Sequence, residues 1–226
     1  MKINYVEEVK ECYYKNGSLI KAIPMKHYMR DQFEYVGIQT PLRRKISAPF
    51  LKKDKLPPVS ELEPIIREFW KLEGREFQYF GQELAMKYEK VIPETFISTF
   101  EFMILTKSWW DTIDIIAKKL VGQYIIRFPE KRNDLLEKWL LSENIWLQRT
   151  CLLFQLGYKQ KTDAECLFQI IERLKTVDEF FIQKAIGWAL REYSKVNPDR
   201  VMEYLKRTNL SKLAYTNALR NQDAKK

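Results

Sequence analysis

Four side chains stand apart from the apolar stripes that otherwise organise this sequence: Trp110, Asp114, Arg149 and Trp188. Trp110 and Asp114, within TKSWWDTID (106–114), are one helical turn apart and share a face, with Lys118 a further turn along. The core stripe of the same segment is Trp109, Ile113, Ile116 and Leu120, so Trp109 is expected inside and the Trp110/Asp114 face elsewhere. That face is either a second packing surface or a site. Arg149, within NIWLQRTCLLFQL (144–156), shares a stripe with Ile145, Leu152, Leu153 and Leu156. A guanidinium among aliphatics requires a counter-charge, because an unpaired buried charge is costly. Asp114 and a phosphate are the two candidates. Trp188 lies roughly opposite Ile186 in EFFIQKAIGWALREY (179–193), between Lys184 and Arg191 and off the stripe of Ile182, Ile186, Ala189, Leu190 and Tyr193. A large aromatic on a basic helical face is a stacking surface for a nucleotide.

Other chemistries are excluded by what is missing. The single histidine, His27, rules out multi-histidine metal sites and argues against Ser–His or Cys–His relays; beside Tyr28 and Arg30 it reads as a surface residue. There is no Walker loop, no dinucleotide fingerprint and no Cys-x-x-Cys. Cys12, Cys151 and Cys166 are odd in number and widely spaced, which suits reduced thiols in a cytoplasmic protein. No metal and no cofactor is expected. An enzyme built from this sequence works with carboxylates, arginine and aromatic faces. The net charge is +9, and a basic surface gains free energy by displacing counterions from a polyanion, so nucleic acid is the first candidate partner. No apolar run is long enough to span a bilayer, and the acidic N-terminal stretch MKINYVEEVKECYY lacks the apolar core of a signal peptide.

The elements that must position these residues are helices. Only seven glycines occur, and apolar residues recur at helical spacing nearly throughout, as in Ile65, Phe69 and Leu72 or Phe96, Phe100, Met103 and Ile104. The pattern predicts an all-α chain of roughly a dozen helices. Pro64, Pro93 and Pro198 are expected near helix starts, Thr176 and Glu179 have capping-box spacing, and Ser108 is the expected N-cap of a helix running to about Leu120, with Asp111 at its third position. Segments beginning at Gly74, Lys107, Glu143 and Asp178 resemble one another, and taking Gln78, Asp111, Gln148 and Gln183 as equivalent gives spacings of 33, 37 and 35 residues. Helix pairs at that period define an α-solenoid of HEAT-like helical repeats. Trp70 and Trp139, in the first helices of two repeats, are expected in the core. Residues 1–226 are read as one helical-repeat domain: an N-terminal cap over about 1–55, repeats over about 58–210, and a frayed tail at about 220–226, with the charged, proline-containing LKKDKLPPVS (51–60) between cap and repeats.

The strings TKSWWDTID, NIWLQR and FFIQKAIGW, with MKHYM (25–29) and GIQTPLRR (37–44) upstream, are similar to those of the DNA alkylation repair family, the HEAT-like-repeat DNA glycosylases of the AlkD type. The resemblance runs from about residue 20 to about 210. It implies a basic concave face that grips double-stranded DNA, and excision of cationic alkylated purines, chiefly 3-methyladenine and 7-methylguanine, without base flipping. By motif position it implies Asp114 as the catalytic aspartate, Trp110 and Trp188 as active-site tryptophans, Arg149 as the active-site arginine, and Tyr28 facing the lesion strand. Lys159, Lys184 and Arg191 join Arg149 as expected DNA contacts. Gly157 departs from members that carry lysine there, with Lys159 and Lys161 close by. The chain is expected to be a cytoplasmic, nucleoid-associated monomer with no membrane and no obligate protein partner. A non-catalytic binder of damaged or distorted duplex, and a protein-binding HEAT scaffold, are the alternatives.

Overall fold

A computed structural model describes residues 2–220, and the tail expected to fray lies outside the described residues from 221 onward. Fourteen α-helical segments and no strand occur among the described residues. The chain divides after Thr99 into two compact units.

The first unit holds α1 (Lys2–Lys15), α2 (Leu19–Tyr28), α3 (Thr40–Ser47), α4 (Val59–Lys71) and α5 (Arg75–Met86). Its core is aromatic: Tyr13 stacks on Phe77 at 5.3 Å and Phe69 packs on Phe80 at 4.9 Å, around fully buried Leu62, Ile65, Ile66 and Trp70. Buried Glu76 accepts the backbone N–H groups of Val36, Gly37 and Ile38 at 2.8–3.0 Å, so one carboxylate holds the segment that begins GIQTPLRR. Pro64 does not start a helix. It lies inside α4, which begins at Val59, and costs that helix one internal hydrogen bond. Pro198 does open its helix, α13 (Pro198–Arg207).

The second unit runs from within α6 (Ile97–Leu105) through α7 (Trp110–Ile115), a π-helical segment (Ile116–Val121), α8 (Gly122–Arg127), α9 (Arg132–Leu141), α10 (Ile145–Leu153), α11 (Ala164–Leu174), α12 (Phe180–Ser194), α13 and α14 (Lys212–Leu219). Trp139 is fully buried, as are Phe100, Met103 and Ile104.

The repeat is strict. The N-caps of α5, α7, α10 and α12 are Gly74, Trp109, Asn144 and Glu179, each 35 residues from the next. Gln78, Gln148 and Gln183 share one position and one function. Each sends its side-chain amide back to carbonyls at the end of the preceding helix: Gln78 to Phe69 and Leu72, Gln148 to Leu140, Gln183 to Lys175 and Val177, at 2.7–3.2 Å. These bonds satisfy carbonyls that a helix end leaves open. The equivalent in α7 is Ile113, not Asp111, which makes the period 35 throughout. Successive first helices are also tied at about one repeat, by Trp139 Nε1 to Glu101 at 2.5 Å and Tyr204 Oη to Glu172 at 2.7 Å, and by the Arg173–Glu137 and Arg200–Glu165 ion pairs.

Candidate active site

The site is built where α7, α10 and α12 pack in succession. α7 starts later and its helix ends later than the sequence pattern suggests. Ser108 does not cap it; its hydroxyl donates back to the Ile104 carbonyl at 2.5 Å, and Trp109 takes the N-cap position in extended conformation. Asp111 is therefore the second residue of the helix, in the first turn, where a carboxylate faces the positive end of the dipole. The helix passes Leu120 and continues to Arg127 through the π segment. Insertions of this kind re-aim side chains and recur at functional sites. Thr176 and Glu179 do not form a capping box either: Glu179 is itself the N-cap of α12 and makes no side-chain cap.

Asp114 and Arg149 occupy the same repeat position one repeat apart, and they pair. Arg149 Nε donates to Asp114 Oδ1 at 2.8 Å and Nη2 to Oδ2 at 3.1 Å, a two-pronged contact. The third prong, Nη1, donates to the Phe181 carbonyl in the first turn of α12. The Arg149 side chain is 5% exposed and that of Asp114 14%. The sequence left Arg149 either an aspartate or a phosphate as partner, and the geometry gives it the aspartate. Burial pushes the Asp114 carboxyl above its ordinary value of 3.8; the hydrogen bond and charge of Arg149 pull against that rise, and Asp111 adds to it.

Trp109 is half-buried, not fully inside as the stripe suggests. It joins an aromatic cluster at the starts of three second helices, 5.8 Å from Trp146 and 5.1 Å from Phe181, with Trp146 and Phe181 5.0 Å apart. This cluster holds the first turn of α12, and with it the carbonyl that fixes Arg149. Neither the cluster nor the Phe181 carbonyl follows from the apolar stripes of the sequence. The cluster had a signal in the aromatic at the start of each segment; a backbone acceptor has none.

Trp110 is half-buried, one turn before Asp114. Trp188 is half-buried on α12, as are Lys184 and Arg191, while the stripe of Ile182, Ile186, Ala189, Leu190 and Tyr193 is buried as expected. Lys184 takes the repeat position of Asp114 and Arg149, and its ammonium lies 5.7 Å from the Phe180 ring. Lys159 is exposed on the 3-10 turn Lys159–Lys161 that follows α10. Tyr28 ends α2 in the first unit, 71% exposed. Gly157 has φ +94°, a conformation that favours glycine, and an added Cβ would lie 3.2 Å from Lys118 Cε.

The helical-repeat fold finds its counterparts in known proteins. A family model described as DNA alkylation repair enzyme matches residues 10–221, and the chain belongs to that family. A solved structure from Enterococcus faecalis, described as a predicted DNA alkylation repair enzyme, is 33% identical over 90% of this chain and 95% of its own, with a TM-score of 0.84. The crystal structure of AlkD2 from Streptococcus mutans shares the fold at a TM-score of 0.66 and 18% identity, over 97% of this chain and 98% of its own. No protein of curated function matches. Membership places this protein in the repair of alkylated DNA.

Proposed function

We propose that the protein is a monofunctional DNA glycosylase that hydrolyses the N-glycosidic bond of cationic N3- and N7-alkylated purines in duplex DNA. The observation that carries this reading is the Asp114 carboxylate, held at both oxygens by a buried arginine and still partly open to solvent. An alkylated purine of this kind is already positively charged and departs as a neutral base, so no strong general acid is needed. That suits a chain whose one histidine, His27, lies on α2 in the first unit. As the bond breaks, positive charge develops on the sugar. A fixed carboxylate beside C1′ stabilises it without reorganising and orients the attacking water. Arg149 positions the carboxylate and keeps it ionised. Trp110 and Trp188 offer ring faces to the deoxyribose and to its developing charge. Tyr28, Lys159, Lys184 and Arg191 contact the DNA.

The same reading has the enzyme act without extruding the base, unlike glycosylases that bind a flipped nucleotide in a pocket.

The deciding experiment is release of 7-methylguanine from a defined duplex under single-turnover conditions, for the wild type and Asp114→Asn. Release by the wild type, with a loss of about 10²–10³-fold in the variant, is the expected result. Equal release by both overturns the role of Asp114. Tight, salt-sensitive duplex binding with no release by the wild type replaces the enzyme with a non-catalytic reader of damaged DNA.

A further inference from the structure

We infer that Lys118 is a preset seat for one backbone phosphate of the bound duplex, built from the π segment of the α7–α8 helix and the turn at Gly157. This rests on the duplex-DNA reading above and adds a residue and a ligand atom to it. Lys118 lies one turn beyond Asp114 on the same continuous helix, inside the π segment that re-aims its side chain. Its side chain lies across the Gly157 turn. A Cβ at position 157 would sit 3.2 Å from Lys118 Cε and 3.8 Å from Nζ, so the end of the lysine side chain lies against the Gly157 turn.

The frame beneath the ammonium is fixed. Tyr158 Oη donates to the Gly122 carbonyl at 2.5 Å, and Gly122 approaches the Phe154 carbonyl so closely that a Cβ would come within 2.5 Å of it. The end of the π segment and the turn after α10 are thereby locked together.

The seat is also uncompensated. Among the described residues no carboxylate pairs with Lys118, or with Lys159 and Lys161 just beyond Gly157, and the nearby acids are committed elsewhere. Asp114 is bound by Arg149, Asp163 by Arg132 at 2.9 Å, and Glu192 by Lys195 at 2.6 Å. Three ammonium groups with no protein counter-charge thus belong to the π segment and to the turn that follows Gly157, and the proposal assigns the sugar to Asp114 and the flanking phosphate to Lys118. Phosphate contacts of this kind set the register of a protein on its duplex.

The test compares Lys118→Gln, Lys118→Arg and Gly157→Ala with the wild type, using fluorescence anisotropy on a defined duplex across a salt series and single-turnover release of 7-methylguanine at saturating protein. A control, Lys206→Gln, removes an exposed lysine on α13. Lys118→Gln is expected to weaken duplex binding about fivefold to tenfold and to lower the slope of log affinity against log salt by about one ion. Lys118→Arg should keep the slope, Gly157→Ala should fall between, and the control should match the wild type. Release at saturation should stay within about threefold of wild type, the mark of a lost positioning contact and not of lost chemistry. An unchanged slope and affinity in Lys118→Gln overturns the seat. So does release lost at saturation with affinity intact, which would put Lys118 in the chemistry instead. A wild type that binds duplex but releases nothing refutes the glycosylase and leaves the seat to be judged on its salt slope.

Discussion

At the residue scale, the site turns on the protonation of one carboxyl. On the proposed mechanism Asp114 stabilises a cation only when ionised, and its burial raises the pH at which it takes up a proton. Release of 7-methylguanine should therefore decline as pH falls through a value above the ordinary 3.8, measured as the acid limb of the single-turnover rate. Arg149→Met removes the group that holds that pKa down, so its acid limb should move to higher pH. An acid limb that does not move would mean the arginine does not tune the aspartate. The same variant strands a mostly buried carboxylate, and denaturant unfolding near neutral pH should show a loss of about 3–5 kcal/mol. Much of this pair was legible. An arginine in an aliphatic stripe and an aspartate off one, 35 residues apart, are what a contact between successive repeats requires. The Phe181 carbonyl was not legible, because every residue carries one and only the packing of Trp109, Trp146 and Phe181 selects it.

At the scale of elements, three glutamines explain how each repeat fixes the next helix start. Gln183 is buried, donates to the Lys175 and Val177 carbonyls, and accepts the Ser211 hydroxyl at 2.7 Å. Gln183→Leu leaves those groups without a partner and should cost about 2–3 kcal/mol in denaturant unfolding. Gln148, with one such bond to Leu140, should cost less. Equal losses would show that bulk, not the hydrogen bonds, holds the helix pairs. The repeat is visible in the sequence through these glutamines, but the polar pattern points to the wrong register in α7. Asp111 was matched to them because it is polar, whereas Ile113 holds that position and buries an aliphatic side chain there. Helix ends depart from their local signals for a related reason. Ser108, Thr176 and Pro64 all carry local start signals, and packing overrides each of them: the Ser108 hydroxyl returns to Ile104, α12 starts after Glu179, and α4 runs through Pro64. The π segment left no mark in composition, since Ile116–Val121 reads as ordinary helix.

For the whole molecule, the excess of 39 lysines and arginines over 30 aspartates and glutamates governs how it meets DNA. Binding through phosphates releases counterions, so affinity should fall steeply as salt rises, whereas a protein-binding scaffold would show little such dependence. How the lesion is read is a separate question from how the duplex is held. An enzyme that extrudes a base must fit it into a pocket, and the size of the pocket sets the largest adduct it can process. An enzyme that instead brings Asp114, Trp110 and Trp188 to the sugar places no limit on what projects into the major groove from N7. Purines carrying a bulky N7 substituent should then be released at rates within about tenfold of 7-methylguanine, since both leave as neutral bases and make the same demand on the carboxylate, a difference of about 1.4 kcal/mol in barrier at most. Single-turnover release from two duplexes that differ only in the size of the cationic adduct measures this directly. If 7-methylguanine is excised and the bulky adduct is not, the base does enter a confined pocket, and the proposal that the backbone is read without flipping is wrong while the glycosylase stands.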